Sequence, residues 1–334
     1  MGDQSIFATG LDSPRGLAFG PDGCLYVAEG GRGGTATSVG DCPQIPPPVG
    51  PNTGGMTARI SKIGPDGVRT TVADGLPSSQ STERSGGLVS GVADVAFVGE
   101  TLYALVSGAG CSHGLAGTAN GIYRIGADGS AQLVADLSAY RATTTVANPD
   151  PSDDEYDGTW YSMVEVDGEL YTIEPNHGEL IRVTLNGQVT RVVDISASQG
   201  HIVPTAVAYR AGVDAFFVGN LGRLPAAPGS AKVLRIGRDG SVAEWAIGMM
   251  TIVGLVFDSH GALYVLENTI SDEPSRPRPN AGQIVRLHDD SSIETVASGL
   301  MLPTAMTIGP DGALYVSTFG FGPAGAGTIL RLEV

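Results

Sequence analysis

Three glutamates close three apolar runs at the same point, Leu25-Tyr26-Val27-Ala28-Glu29, Leu170-Tyr171-Thr172-Ile173-Glu174 and Leu263-Tyr264-Val265-Leu266-Glu267. With Asp94, at the start of another apolar run, they make an acidic set. Such a set cannot all stay ionised around one axis without a cation, an arginine or raised pKa values. One chemistry is Ca2+ binding through carboxylate and amide oxygens, with Asp94, Glu29, Glu174 and Asn220 as ligands. Another is general acid–base catalysis by Glu174, His177, Glu29 and Glu267. In a third reading each glutamate is a strand end making local hydrogen bonds. The residues alone leave all three open.

Glu174-Pro175-Asn176-His177-Gly178-Glu179 packs carboxylates, an amide and an imidazole into one short link. His177 there is a candidate general base or transition-metal ligand, against the plainer role of a histidine fixing a turn. Arg15, Tyr161, Asn176, His201, Asn220 and Asn268 lie at comparable points and are the candidate substrate-binding residues. Other chemistries find no motif. There is no His-x-x-x-His or Cys-x-x-Cys spacing for zinc and no Gly-x-Ser-x-Gly elbow for a serine nucleophile. Gly30-Gly31-Arg32-Gly33-Gly34 lacks the lysine of a phosphate loop. The acidic run Asp150, Asp153, Asp154, Glu155 and Asp157 lacks EF-hand spacing and is expected to be a solvated loop.

These residues are positioned by a repeat. An apolar run, a turn of the type Gly20-Pro21-Asp22-Gly23 and a second apolar run make a β-hairpin, because Asp-Gly tolerates the positive φ of a tight turn. Six such hairpins occur, with second strands at Leu25-Tyr26, Leu102-Tyr103, Leu170-Tyr171, Phe216-Phe217, Leu263-Tyr264 and Leu314-Tyr315. Each is followed by a third strand carrying a basic residue (Lys62, Arg124, Arg182, Arg235, Arg286 or Arg331), then by a fourth, outer strand. The shorter repeat intervals match a four-stranded propeller blade of roughly 40–50 residues, and the longer ones carry insertions. The fold class is therefore all-β, a six-bladed β-propeller, with 1–334 as one domain. The last blade, 303–334, ends after its third strand, and residues 5–11 have the outer-strand pattern that completes it and closes the ring. The six basic residues are expected to pair with turn carboxylates rather than to form a site.

The long connections join second to third strands (30–57, 108–120, 221–230, 268–282, 319–327) or lead from one blade to the next (77–90, 138–159, 196–203). In an up-and-down blade both kinds emerge on one face, the expected seat of function. A formal charge of −16 with two lysines excludes nucleic acid as a partner. No run of about twenty apolar residues suggests membrane insertion. A monomer with a small-molecule ligand is expected. Cys42 and Cys111 can pair if their loops meet, which suits an oxidising compartment.

The stretch Leu11-Asp12-Ser13-Pro14-Arg15-Gly16-Leu17-Ala18-Phe19-Gly20-Pro21-Asp22-Gly23 with Leu25–Glu29, then Glu174–Glu179, then Gly309-Pro310-Asp311-Gly312-Ala313-Leu314-Tyr315-Val316-Ser317 resembles the ScyD/ScyE family of bacterial proteins. The likeness covers nearly the whole chain. It implies an exported, NHL-type six-bladed propeller, and hence a secreted, periplasmic or cell-surface location with the leader absent from this sequence; it implies no reaction. More distantly the chain is similar to calcium-dependent lactonases and phosphotriesterases of the gluconolactonase type and to strictosidine-synthase-like propellers. The lactonase pattern sets a metal-binding glutamate where this chain has Pro14-Arg15-Gly16, so no catalytic residue is carried over. The expected function is a hydrolase or lyase acting on a small organic molecule in an acidic pocket on the loop-rich face, with Ca2+ as an optional cofactor. The alternative is a non-catalytic module that binds a ligand or protein there.

Overall fold

Alternation and turn chemistry build each hairpin. Leu25 and Val27 are fully buried while Tyr26 between them reaches the surface, the period of two that a half-buried strand requires. The Asp22 carboxylate accepts the N–H of Cys24 at 3.1 Å, and Gly23, at φ +75°, takes the left-handed conformation that closes the turn. Cys24 itself stands just before the strand and is only partly buried, not a core residue.

In this computed structural model residues 4–223, 226–270, 277–288 and 292–334 are described; the connections 221–230 and 268–282 run partly outside them. The strands form six antiparallel sheets. Blade one has Pro14–Phe19, Leu25–Glu29, Thr53–Ile63 and Arg69–Gln80, from the axis outward. Blade two has Val92–Val98, Thr101–Val106, Gly121–Ile125 and Ala131–Asp136, and blade three Met163–Val166, Glu169–Glu174, Glu179–Val183 and Val189–Asp194. Pro204–Arg210, Ala215–Asn220, Ala231–Gly237 and Val242–Met249 make blade four; Ile252–Phe257, Leu263–Glu267, Gly282–Leu287 and Ile293–Leu300 make blade five. Blade six is Ala305–Ile308, Leu314–Thr318 and Gly327–Leu332, and its outer strand is Gln4–Leu11, paired from Gln4 against Leu332 to Leu11 against Gly327. Each inner strand packs on those of both neighbours, the sixth on the first, so the ring is closed.

The core is divided as this plan demands. Six apolar clusters each lie between consecutive blades; the one joining blades six and one holds Ala8 and Leu11 of the N-terminal strand beside Leu17, Val27, Tyr315 and Ile329. Four of the six repeated basic residues pair with carboxylates as expected, among them Lys62 with Asp22 at 2.6 Å and Arg331 with Asp311 at 2.8 Å at the short-turn end of the blades, whereas Arg124 bonds Gln132 and Arg235 bonds Val213 O.

The long connections meet at the other end. Cys42 and Cys111 form a disulfide that joins the insertion of blade one to that of blade two. Part of what reads as loop is strand. Blade one's third and outer strands stay paired from Ala58 and Leu76 out to Thr53 and Gln80, and Val89–Ser90 adds to this extension. Register shifts on either side of Ala58 let the ribbon bend without losing its hydrogen bonds. A helix, Leu137–Thr143, capped by the Asp136 side chain on Ala139 N at 2.8 Å, opens the connection into blade three.

Candidate functional site

The three glutamates do not converge. Glu29 accepts the N–H of Asp12 at 2.6 Å, takes a two-pronged ion pair from Arg59 at 2.9 Å on each oxygen, and is bonded by the Ser61 hydroxyl. Glu174 accepts from Thr159 N at 3.0 Å and from His177 N. Glu267 accepts from Met250 N and from Gln283 Nε2, both at 2.5 Å. Asn220 donates to Ile202 O at 3.0 Å and accepts from Lys232 N at 2.8 Å. All four act alike, each tying the segment that enters its own blade (Asp12, Thr159, Met250, Ile202) to the end of the second strand. The physical reason is that each side chain turns sideways into a backbone seam full of unpaired N–H and C=O groups, where an acceptor is worth most. Glu29→Gln, which keeps the shape and loses the charge facing Arg59, is expected to lower stability by about 2 kcal/mol in urea unfolding; an unchanged midpoint would contradict this bracing role.

Calcium does not fit the set Asp94, Glu29, Glu174 and Asn220. Three of those donors are committed within different blades, and among the described residues no group of three or more His, Cys, Asp or Glu side chains is placed to hold a metal ion. The other expected residues are also separated. His177 Nδ1 lies 3.4 Å from Glu179 Oε1, while Glu179 Oε2 takes Arg191 Nε at 2.7 Å and the Tyr140 hydroxyl at 3.1 Å. Asn268 donates to Pro303 O at 2.6 Å. Asn176 and His201 meet at Asp153, bonding its carbonyl at 2.7 Å and its carboxylate at 2.8 Å respectively.

What surrounds the axis is a belt of side chains bonded to the next blade. Ser162 donates to Thr205 O at 2.9 Å, Thr205 to Ile252 O at 2.5 Å, and Thr304 to Pro14 O at 2.7 Å. Asp94 is the acidic member. Its two oxygens accept Val95 N and Met163 N, each at 2.8 Å, and Gly16 of blade one lies so close that a Cβ there would fall 1.8 Å from Asp94 Oδ1. Burial pushes the Asp94 carboxyl up to about 7, against the pull of the two N–H donors.

Tyr161 spans the belt from blade three to blade six, its hydroxyl donating to Thr304 O at 3.2 Å. Burial raises its pKa, and Arg15, which hydrogen-bonds it, pulls the other way. Arg15 enters from blade one; its guanidinium donates to Val89 O and stacks on the Phe321 ring at 4.6 Å. Burial lowers the Arg15 pKa. Of the expected residues, then, the structure brings Arg15, Tyr161 and Asp94 together at the entry ends of the inner strands of blades one to three, with Thr304 at the equivalent strand entry of blade six, and draws in Phe321, which carries no sequence signal beyond its loop position.

A second cluster lies beside it, over blades two and three. His113 is buried; Ser79 Oγ at 2.9 Å and Asn52 Nδ2 at 3.4 Å face its Nδ1, which leaves the proton on Nε2, 3.7 Å from Glu155 Oε2. Burial pushes Glu155 up to about 7 and His113 down, each toward its uncharged form. The solvated loop expected around Glu155 instead folds inward, because Asp157 is bonded by Ser112 N at 2.7 Å and Ser112 Oγ at 2.6 Å. At the opposite rim, a groove of about 400 Å³ lined by Pro21, Asp22, Tyr26, Phe97 and Glu100 is remote from both clusters.

Neither a protein-family model nor a curated protein matches this sequence. Solved structures do. An oxidoreductase described as glucose dehydrogenase from Thermus thermophilus is similar over all of both chains, at 20% identity and TM-score 0.59. A gluconolactonase from Xanthomonas campestris matches 99% of this chain and 89% of its own at 13% identity, TM-score 0.57. The calcium-binding protein regucalcin from Agrobacterium tumefaciens matches 100% of this chain and 94% of its own at 13% identity, TM-score 0.61. At these identities the likeness establishes the propeller fold and leaves the chemistry to the site.

Proposed function

We propose that this chain is an extracytoplasmic propeller of the ScyD/ScyE type that transforms a small organic molecule at the channel mouth, by hydrolase- or lyase-type acid–base chemistry. The observation that carries the reading is Asp94: a carboxyl on the axis, brought to about 7 by burial, and so present in both protonation states near neutral pH. Each of its oxygens accepts one backbone N–H and keeps a second lone pair for water or a substrate proton. In this scheme Asp94 takes the proton, the Tyr161 hydroxyl orients the substrate, and the Arg15 guanidinium faces the negative charge that develops. The scheme assigns no step to Ca2+, because Glu29, Glu174 and Asn220 of the expected donor set are bonded within their own blades. The gluconolactonase among the structural neighbours supports the hydrolytic variant, and the Cys42–Cys111 disulfide supports an oxidising compartment.

The test is turnover of a library of lactones, esters and β-hydroxy acids followed by mass spectrometry, repeated with Asp94→Asn on whichever member reacts. A fall in kcat of about 10²–10⁴ is expected for loss of a general acid–base group. Undiminished turnover by Asp94→Asn would remove Asp94 from the reaction.

A further inference from the structure

We infer that the channel mouth captures its ligand by a carboxylate, which Arg15 binds. The inference rests on the channel mouth being the site, but not on the chemistry assigned to Asp94. In a chain with 35 acidic against 19 basic residues, arginines have acids to choose from. Arg59 pairs with Glu29 and Asp12, Arg191 with Glu179, Arg141 with Asp154 and Arg331 with Asp311. Of the arginines held by neutral groups, Arg124 on Gln132 and Arg235 on Val213 O are exposed, and Arg210 lies half-buried over the Phe257 ring at the short-turn end of its blade. Arg15 is the one among these placed beside Tyr161 and the belt around the axis. It is sunk below the rim with part of its surface still open, and among the described residues no carboxylate pairs with it.

Its partners are a carbonyl, a phenol and an aromatic face. They fix the guanidinium plane but do not neutralise its charge, and a partly desolvated cation left in that state gains most from an incoming anion. A planar fork with a stacked face and a free edge suits the two oxygens of a carboxylate. The rest of the ligand is expected to be a small apolar or aromatic body, because Tyr161 packs against the apolar cluster that holds Val253 and Met306, and Phe321 covers Arg15. The net charge of −16 disfavours polyanions and Arg15 offers a single guanidinium, so a ligand with one negative charge is expected.

Benzoate and its uncharged isostere benzamide are suitable probes, titrated calorimetrically into the whole chain, its Arg15→Gln and Arg15→Lys variants, and Asp94→Asn. Wild type should bind benzoate at least about 10-fold more tightly than benzamide, the scale of a charge-assisted hydrogen bond. Arg15→Gln should abolish that preference and Arg15→Lys should narrow it, since lysine keeps the charge but not the fork. Asp94→Asn should keep it, so loss of the acid–base reading and loss of this one give different results. Equal binding of the two probes by wild type, binding of neither, or an undiminished preference in Arg15→Gln would overturn the inference. The wild-type comparison decides even if the glutamine variant fails to fold.

Discussion

A chain beginning at Ser13 is expected to lose cooperative folding, or to melt at least about 15 °C lower than the full chain. The deletion removes the strand Gln4–Leu11, the outer strand of blade six, whose loss exposes the edge Gly327–Leu332. It removes Leu11 and Ala8 from the cluster between blades six and one, and the Phe7 ring from its edge-on contact with Tyr315 at 5.0 Å. It also removes Asp12, whose backbone N–H bonds Glu29, whose Oδ2 meets Arg32 at 2.9 Å and Arg59 at 3.1 Å, and whose Oδ1 accepts Gly325 N at 2.7 Å. Each buried aliphatic side chain contributes about 1.5–3 kcal/mol, and Glu29 with Arg59 would lose a partner in a buried seam. Against a total of about 5–15 kcal/mol for a typical domain, that sum decides folding. Calorimetry of the two chains is the check; a shortened chain melting within a few degrees of the full one would show that the ring does not need this strand.

The second large effect is on the pH dependence of stability. The folded chain keeps a proton on Asp94 up to about pH 7, whereas the unfolded chain releases it near 3.8. Between those values the folded state binds more protons, so stability falls as pH rises and levels off above about 7. For Asp94 the loss across the window is about 4 kcal/mol. Glu155, also raised to about 7 by burial, acts in the same sense, as do Glu174 and Glu267, raised by burial too. Urea unfolding at pH 5, 6, 7 and 8 should show wild type weakening steadily up to about pH 7. Asp94→Asn should remove about 1.4 kcal/mol per pH unit from that slope, whatever it does to absolute stability, since the amide faces two N–H donors. A variant whose curve runs parallel to wild type would show that Asp94 does not titrate there.

Much of the architecture is legible in the residue order, because the repeat writes it locally. Asp22-Gly23 makes its turn with its own side chain and backbone, and Leu25-Tyr26-Val27 alternates whatever the rest of the chain does. The pairing of Lys62 with Asp22 and of Arg331 with Asp311 follows from the hairpin's dimensions. The site is less legible. Glu29, Glu174 and Glu267 share a repeat position, and that shared position is itself the sign of a bracing role, since a feature present in several blades serves the blade. Glu155 and His113 lie 42 residues apart in loops with no pattern, and their approach depends on how those loops fold over each other.

Residue types and their local periods therefore determined the strands, the six blades and the use of the N-terminal segment to complete the last one, since these rest on interactions within a hairpin or on one missing strand. Only the tertiary structure decided which polar groups face the axis. A carboxylate at a strand end can turn toward the channel or into the seam beside it, and the choice is made by distant chain: Asp12 for Glu29, Met163 for Asp94, Thr304 for Tyr161. Burial of those partners, together with the absence of an acid beside Arg15 among the described residues, sets the charge where the inner strands begin.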